Sequence, residues 1–208
     1  VELRNANVAM AAIHAENKQL RELLNYKEQH RTQTTRAAKV IARNFGDLRD
    51  SMYINIGKDA GLKREMAVLD GSGLVGIVDE VYDDYSKVLL ITSARCKIGA
   101  RVVRADSRAV GVVNGRSGIR DMLIMEHIFR EASVKKGDIV VTSGYSGSHP
   151  ENILSGTGGD VRLSKVGVLQ EADIVPVADV ADVEHVLVVT HFTPEQKIDM
   201  KLQGGQAK

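Results

Sequence analysis

A seam of positions in the first thirty residues steps by three, then four, then three: Leu3, Ala6, Met10, Ile13, Asn17, Leu20 and Leu24. All but Asn17 are apolar, and the residues between are mostly polar, among them Asn5, His14, Glu16, Lys18, Gln19, Arg21 and Glu22. A repeat averaging 3.5 residues keeps one stripe on a helix that supercoils around a partner. No Pro or Gly interrupts residues 1–45. The pattern therefore predicts a coiled-coil helix within residues 1–33, paired with a copy of itself. Leu3, Met10, Ile13, Asn17, Leu20 and Leu24 are the candidate dimerisation residues. Asn17 on the seam would fix register, because a slip leaves its amide unpaired. The other reading of the same stripe is a single amphipathic helix folded back on the rest of the chain. Four heptads pair weakly alone, and an upstream helix or membrane anchor would help by raising local concentration.

After residue 33 the pattern changes to short apolar runs separated by turn residues, the signature of strands. Runs at 52–56, 62–69, 74–78 and 87–92 form a first set. A second comprises 98–103, 109–113, 120–126, 139–142, 161–169, 174–177 and 186–190. Gly76 inside a run predicts a bulge or tight bend. Asn114-Gly115 is the best hairpin-turn signal in the chain. Residues 143–159 read as a long glycine-rich loop. The apolar-basic-basic-turn-strand order of 62–68 recurs at 134–140 and hints at two similar barrels. The predicted fold is mainly β: an N-terminal coiled-coil helix, then two small β-barrel domains at 34–104 and 105–192, then a polar tail at 193–208. The pattern leaves open whether 186–190 returns to the first barrel.

Composition narrows the function classes. The 208 residues are 4% aromatic with no Trp, so the cores must be built from Val, Ile, Leu and Ala, which suits narrow barrels. Scarce aromatics and a net charge of +1 argue against nucleic-acid binding. One cysteine, Cys96, permits no internal disulfide. No run approaches the roughly eighteen apolar residues of a membrane span. The chain begins with Val, so a membrane anchor upstream is compatible with it.

The search for chemistry returns little. Gly144-Tyr145-Ser146-Gly147 with nearby His149 offers a serine nucleophile and a base, but two residues three apart on one loop are poorly placed for that work. The six histidines lack metal-ligand spacing, and Asp83-Asp84 is not followed by an alternating acidic loop. Gly156-Thr157-Gly158-Gly159-Asp160 lacks the lysine and the following helix of a phosphate cradle. The residues predict no metal, no cofactor and no enzyme.

Several stretches resemble the MreC family of bacterial rod-shape-determining proteins. They are Glu16-Asn17-x-x-Leu20-Arg21-x-Leu23-Leu24, Ile56-Gly57-x-Asp59-Ala60-Gly61-Leu62-Lys63, Met66-x-Val68, Gly73-Leu74-Val75-Gly76-x-Val78 and Ser86-Lys87-Val88-Leu89-Leu90-Ile91-Thr92. Gly137-Asp138-x-Val140-Val141-Thr142-Ser143-Gly144, Pro150 and Val175-Pro176-x-Ala178-Asp179 follow in the same order. One stretch departs from the family's pattern. Asn152 stands where a glycine is usual, and Asn tolerates left-handed backbone angles. His149 replaces an aromatic. The resemblance implies a membrane-anchored scaffold of cell-wall elongation whose coiled coil and two barrels lie on the extracytoplasmic side. It further implies homodimers or filaments, and as partners the elongation-specific penicillin-binding protein and other rod-system membrane proteins. Two alternatives remain: a serine hydrolase on paired barrels, and a periplasmic transport adaptor. The latter class carries a helical hairpin, whereas this sequence predicts one arm.

Overall fold

The computed structural model describes residues 2–44, 50–107, 109–116, 121–164 and 168–192, with side chains from residue 7 onward. Helix α1 spans Glu2–Gln29. It ends without glycine. The His30 N–H and Nδ1–H both donate to the Tyr26 carbonyl, at 3.0 and 2.9 Å, and the two rings stack 4.1 Å apart. Those bonds satisfy a carbonyl that the helix end would otherwise leave open.

Among the described residues twelve strands follow: β1 Thr34–Arg43, β2 Ser51–Ile54, β3 Ala67–Leu69, β4 Leu74–Val81, β5 Ser86–Leu90, β6 Ile98–Val103, β7 Val110–Gly115, β8 Leu123–Phe129, β9 Ile139–Thr142, β10 Leu154–Leu163, β11 Leu169–Pro176 and β12 His185–His191. They close into two antiparallel barrels, in the orders β1-β12-β3-β4-β5-β2 and β10-β11-β8-β7-β6-β9. Alternation sets the walls: in β6, Ile98, Ala100 and Val102 point inward while Val103 stays exposed. Met52, Ile54, Val68, Leu74, Val88 and Val188 fill the first barrel. Ile98, Leu123, Met125, Ile128 and Ile174 fill the second. No aromatic is among the largest fully buried side chains of the described residues, as a six-stranded interior of branched aliphatics requires.

The strand pairings correct the predicted domain boundary at 104/105. β6 precedes that boundary yet pairs with β7 and β9, so the second barrel starts by Ile98. β12 returns to the first barrel and pairs with β1 and β3. Without it the first sheet would expose two edges, and closure removes both. The predicted tail, 193–208, lies outside the described residues.

Two turn assignments also change. Asn114-Gly115 is not a hairpin turn; both residues lie in β7, paired with Ile124 and Leu123. Gly115 is needed for space, because a Cβ there would overlap the Thr92 carbonyl. The predicted loop over 143–159 ends at Ile153, since Gly156, Gly158 and Gly159 belong to β10. A Cβ on Gly156 would overlap the Val175 carbonyl, and the pairing slips between Gly158 and Val161. These glycines permit a bulged, close-packed strand. The expectation at Gly76 holds in its bulge form: Val68 faces Gly76 while Leu69 faces Leu74, leaving Val75 as the extra residue.

Candidate interaction surfaces

α1 has two distinct faces. At about 100° per residue, Glu16, Gln19, Leu23 and Tyr26 fall in one sector of roughly 80°. That sector meets the first barrel. Leu23 is only 4% exposed, and Tyr26 is half-buried, its phenol donating to Gln33 Oε1 at 3.2 Å. Burial pushes the Tyr26 phenol up to about 12, partly opposed by that bond. Glu16 Oε1 lies 3.6 Å from His185 Nε2.

The predicted seam occupies another sector, centred roughly 120° away. Met10, Ile13 and Leu24 are 58–59% exposed, Leu20 is 40% exposed, and Asn17 is exposed. Leu20 borders the shallow groove between helix and barrel, beside Leu23, Ala37, Ala38, Lys39, Asn55 and His185. The side chain of Leu3 lies outside the described residues. The helix thus docks on its barrel and keeps its seam free. Between the seam positions the sequence shows Glu16 and Gln19 only as polar residues, and neither marks a docking face. The signal available was the Leu23-Leu24 doublet, which no single seam can accommodate.

A second exposed surface lies on the second barrel. Val103 pairs with Ile139, Ile139 with Thr157, and Thr157 with Val175, so the four residues form one row across β6, β9, β10 and β11. Its three aliphatic members are 45–49% exposed. Apolar residues aligned on an outer wall are a frequent mark of an interaction face.

The candidate nucleophile and base do not come together. Ser146 is exposed, and its Oγ accepts the Ser148 N–H at 3.3 Å. His149 is buried, 6% exposed, with Nδ1 2.8 Å from the Glu65 carbonyl. A carbonyl only accepts, so Nδ1 carries the proton. Ser148 Oγ donates to the Glu65 carboxylate at 2.8 Å. Glu65 has φ 67°, a left-handed geometry held in place by this contact and by its N–H bond to Val78. The loop is a joint between the barrels, with the His149 imidazole buried in it. Asn152 has φ 65°, a left-handed geometry that Asn tolerates. We expect Ser146→Ala to leave thermal stability within about 0.5 kcal/mol of the parent. We expect His149→Ala to cost about 1–3 kcal/mol by leaving the Glu65 carbonyl unpaired. Calorimetric unfolding of both variants checks this, and equal stabilities would remove the joint.

Among the described residues no group of His, Cys, Asp or Glu side chains is arranged to hold a metal ion. Burial pushes the Cys96 thiol up to about 12, which keeps it a neutral core side chain. Among them, too, no helix is long and apolar enough to cross a membrane.

Free apolar surface, joined barrels and a helix docked on one face define a class: a helix-tethered double-barrel protein built for contacts. Residues 40–190 match the family model described as rod shape-determining protein MreC, barrel core, and the chain belongs to that family. It is 35% identical over 190 residues to the cell shape-determining protein MreC of Listeria monocytogenes, covering 90% of this chain and 64% of that protein. A solved MreC structure from Listeria superposes with a TM-score of 0.73 at 33% identity, covering 95% of each chain. A second MreC structure gives 0.76 at 28% identity, covering 86% of this chain and 99% of the other. The chain spans 66% of the Bacillus subtilis relative. These relatives are named for determining cell shape, and the family is structural rather than enzymatic.

Proposed function

We propose that this chain is a scaffold of the cell-wall elongation machinery that maintains rod shape. α1 pairs with a second copy through Met10, Ile13, Asn17, Leu20 and Leu24, with Leu3 on the same stripe, giving a dimer or a filament. The barrels recruit the elongation-specific penicillin-binding protein and other membrane proteins of the rod system. The protein is membrane-anchored and works on the extracytoplasmic side of the cell membrane.

The observation that carries the reading is the azimuth of the seam: the helix spends one face on its barrel and leaves the heptad stripe unburied. Met10, Ile13 and Leu24 put three exposed apolar side chains in one sector that the described fold leaves unburied, with Leu20 at its border. Membership of a cell-shape family supports the role. A complex between penicillin-binding protein 2 and MreC from Helicobacter pylori, a structural neighbour of this fold, supports the choice of partner. We assign that partner to the Val103, Ile139 and Val175 row.

The test immobilises the chain, exposes it to solubilised membranes of its own organism and labels retained proteins with a fluorescent penicillin. One labelled protein should be retained, and free chain should displace it. Ile139→Lys, on an exposed wall position, should reduce retention at least tenfold. Retention unchanged by the variant removes the row from the reading, and retention of no labelled protein overturns the partner.

A further inference from the structure

The docking face of α1 carries a specific hydrogen-bonding device. Gln19 Nε2 donates to the Asp182 carbonyl at 3.2 Å, and Gln19 Oε1 accepts the Glu184 N–H at 3.4 Å. These two backbone groups flank buried Val183. They are the pair that one residue of a neighbouring parallel strand would satisfy. A single side-chain amide substitutes for that strand. From the other side, Arg43 at the end of β1 donates to the Val180 and Val183 carbonyls. The 180–184 segment is thus gripped between the first barrel and the helix, immediately before β12, the strand against which α1 packs.

Packing reinforces the amide. Leu23 lies about one turn beyond Gln19 and is the most deeply buried side chain of α1 among the described residues. At Gly71, in the turn between β3 and β4, a Cβ would come within 2.8 Å of the Glu22 backbone, so only glycine lets the helix approach so closely. Contacts to the segment before β12, to the β3–β4 turn and to the barrel wall fix the helix in rotation as well as in position.

We propose that Gln19 and Leu23 form a latch that sets the rotation of α1 on the first barrel. It fixes the direction in which the seam faces. Resting on the dimer reading above, this places the two double barrels of a pair on the outer sides of the joined helices. The latch and the seam are separable, because their residues occupy different sectors of the helix. Releasing the latch converts a rigid arm into a swinging one without removing the pairing surface.

Intrachain distances test it. Nitroxide labels go on Ala11→Cys, which faces neither latch nor seam, and on exposed Lys63→Cys. Cys96 is buried and stays unlabelled. Each labelled chain is diluted into unlabelled protein, so electron–electron dipolar measurements read within one chain. The parent should give a single narrow distance distribution. Gln19→Ala/Leu23→Ala should widen it at least twofold. Gln19→Glu, which keeps shape and packing but loses the donor to Asp182, should widen it too. A parent distribution already broad, or widths unchanged in both variants, overturns the latch. Sedimentation of the same samples should give pair dissociation constants within about threefold of the parent, and a much larger change overturns the separation of latch from seam. A parent that is monomeric overturns the dimer reading and the placement of the barrels, while the distance result still decides the latch.

Discussion

Replacing Ile13 and Leu24 together with Asp is expected to leave the chain monomeric, with the barrels intact. Both side chains are 59% exposed in the single chain, so neither holds the fold together. In a paired coiled coil they would occupy the buried seam. Burying one such side chain contributes about 1.5–3 kcal/mol, and a pair of helices loses four of them. The expected loss exceeds three orders of magnitude in association, before any repulsion between the introduced carboxylates. Sedimentation equilibrium at up to several hundred micromolar reads the association. Circular dichroism melting checks that the β-body unfolds within a few degrees of the parent. Undiminished association of the variant would put the contact elsewhere. Leu20→Asp is the less clean choice, since Leu20 also borders the groove under the helix.

Gly115→Ala is expected to be the most damaging single methyl addition of those compared here, lowering the melting temperature by roughly 10 °C. The added Cβ would overlap the Thr92 carbonyl and crowd Ser93, both backbone neighbours. A flexible side chain can rotate away; a backbone carbonyl inside a joined pair of barrels cannot. The Gly115 N–H also donates to the Ser93 carbonyl at 3.0 Å, and moving β7 outward would break that bond. Overpacking of this kind costs about 3–4 kcal/mol. Gly147→Ala is the control. Its site is open, with φ 70° and nothing within 4 Å, so only the left-handed backbone penalty of about 1 kcal/mol applies. Calorimetry on the two variants separates the effects. A Gly115 variant as stable as the Gly147 variant would contradict the close approach.

Local features of the chain were readable because their causes are local. The 98–103 and 139–142 runs were read with the bounds they have as β6 and β9, since alternating inward positions in β6 and an uninterrupted apolar run in β9 mark strands directly. A left-handed geometry at Asn152 was expected because it stands where the resembled family has a glycine and Asn tolerates such angles, and it has φ 65°. Gly115 and Gly156 were misread for an equally physical reason. A glycine demanded by a turn and one demanded by a neighbouring carbonyl look identical in sequence. The neighbours that decide between them, Thr92 and Val175, lie 23 and 19 residues away, 115 − 92 and 175 − 156.

The same distinction runs through the candidate surfaces. The heptad stripe was legible because helical periodicity is written in consecutive residues. The docking face was not, because Gln19 becomes a latch only where Asp182 and Glu184 arrive beside it. Likewise, His149 near Ser146 suggested chemistry, but its Nδ1–H donates to the Glu65 carbonyl instead. By itself the sequence determined one helix with a heptad seam, an all-β body without aromatic cores, and membership of a cell-shape family. Tertiary structure alone decided that β12 closes the first barrel, that the helix carries a second working face, and that Val103, Ile139 and Val175 line up on one wall. Those outcomes depend on pairings between residues far apart in the chain, where closure of sheet edges and shared burial, not local propensity, set the free energy.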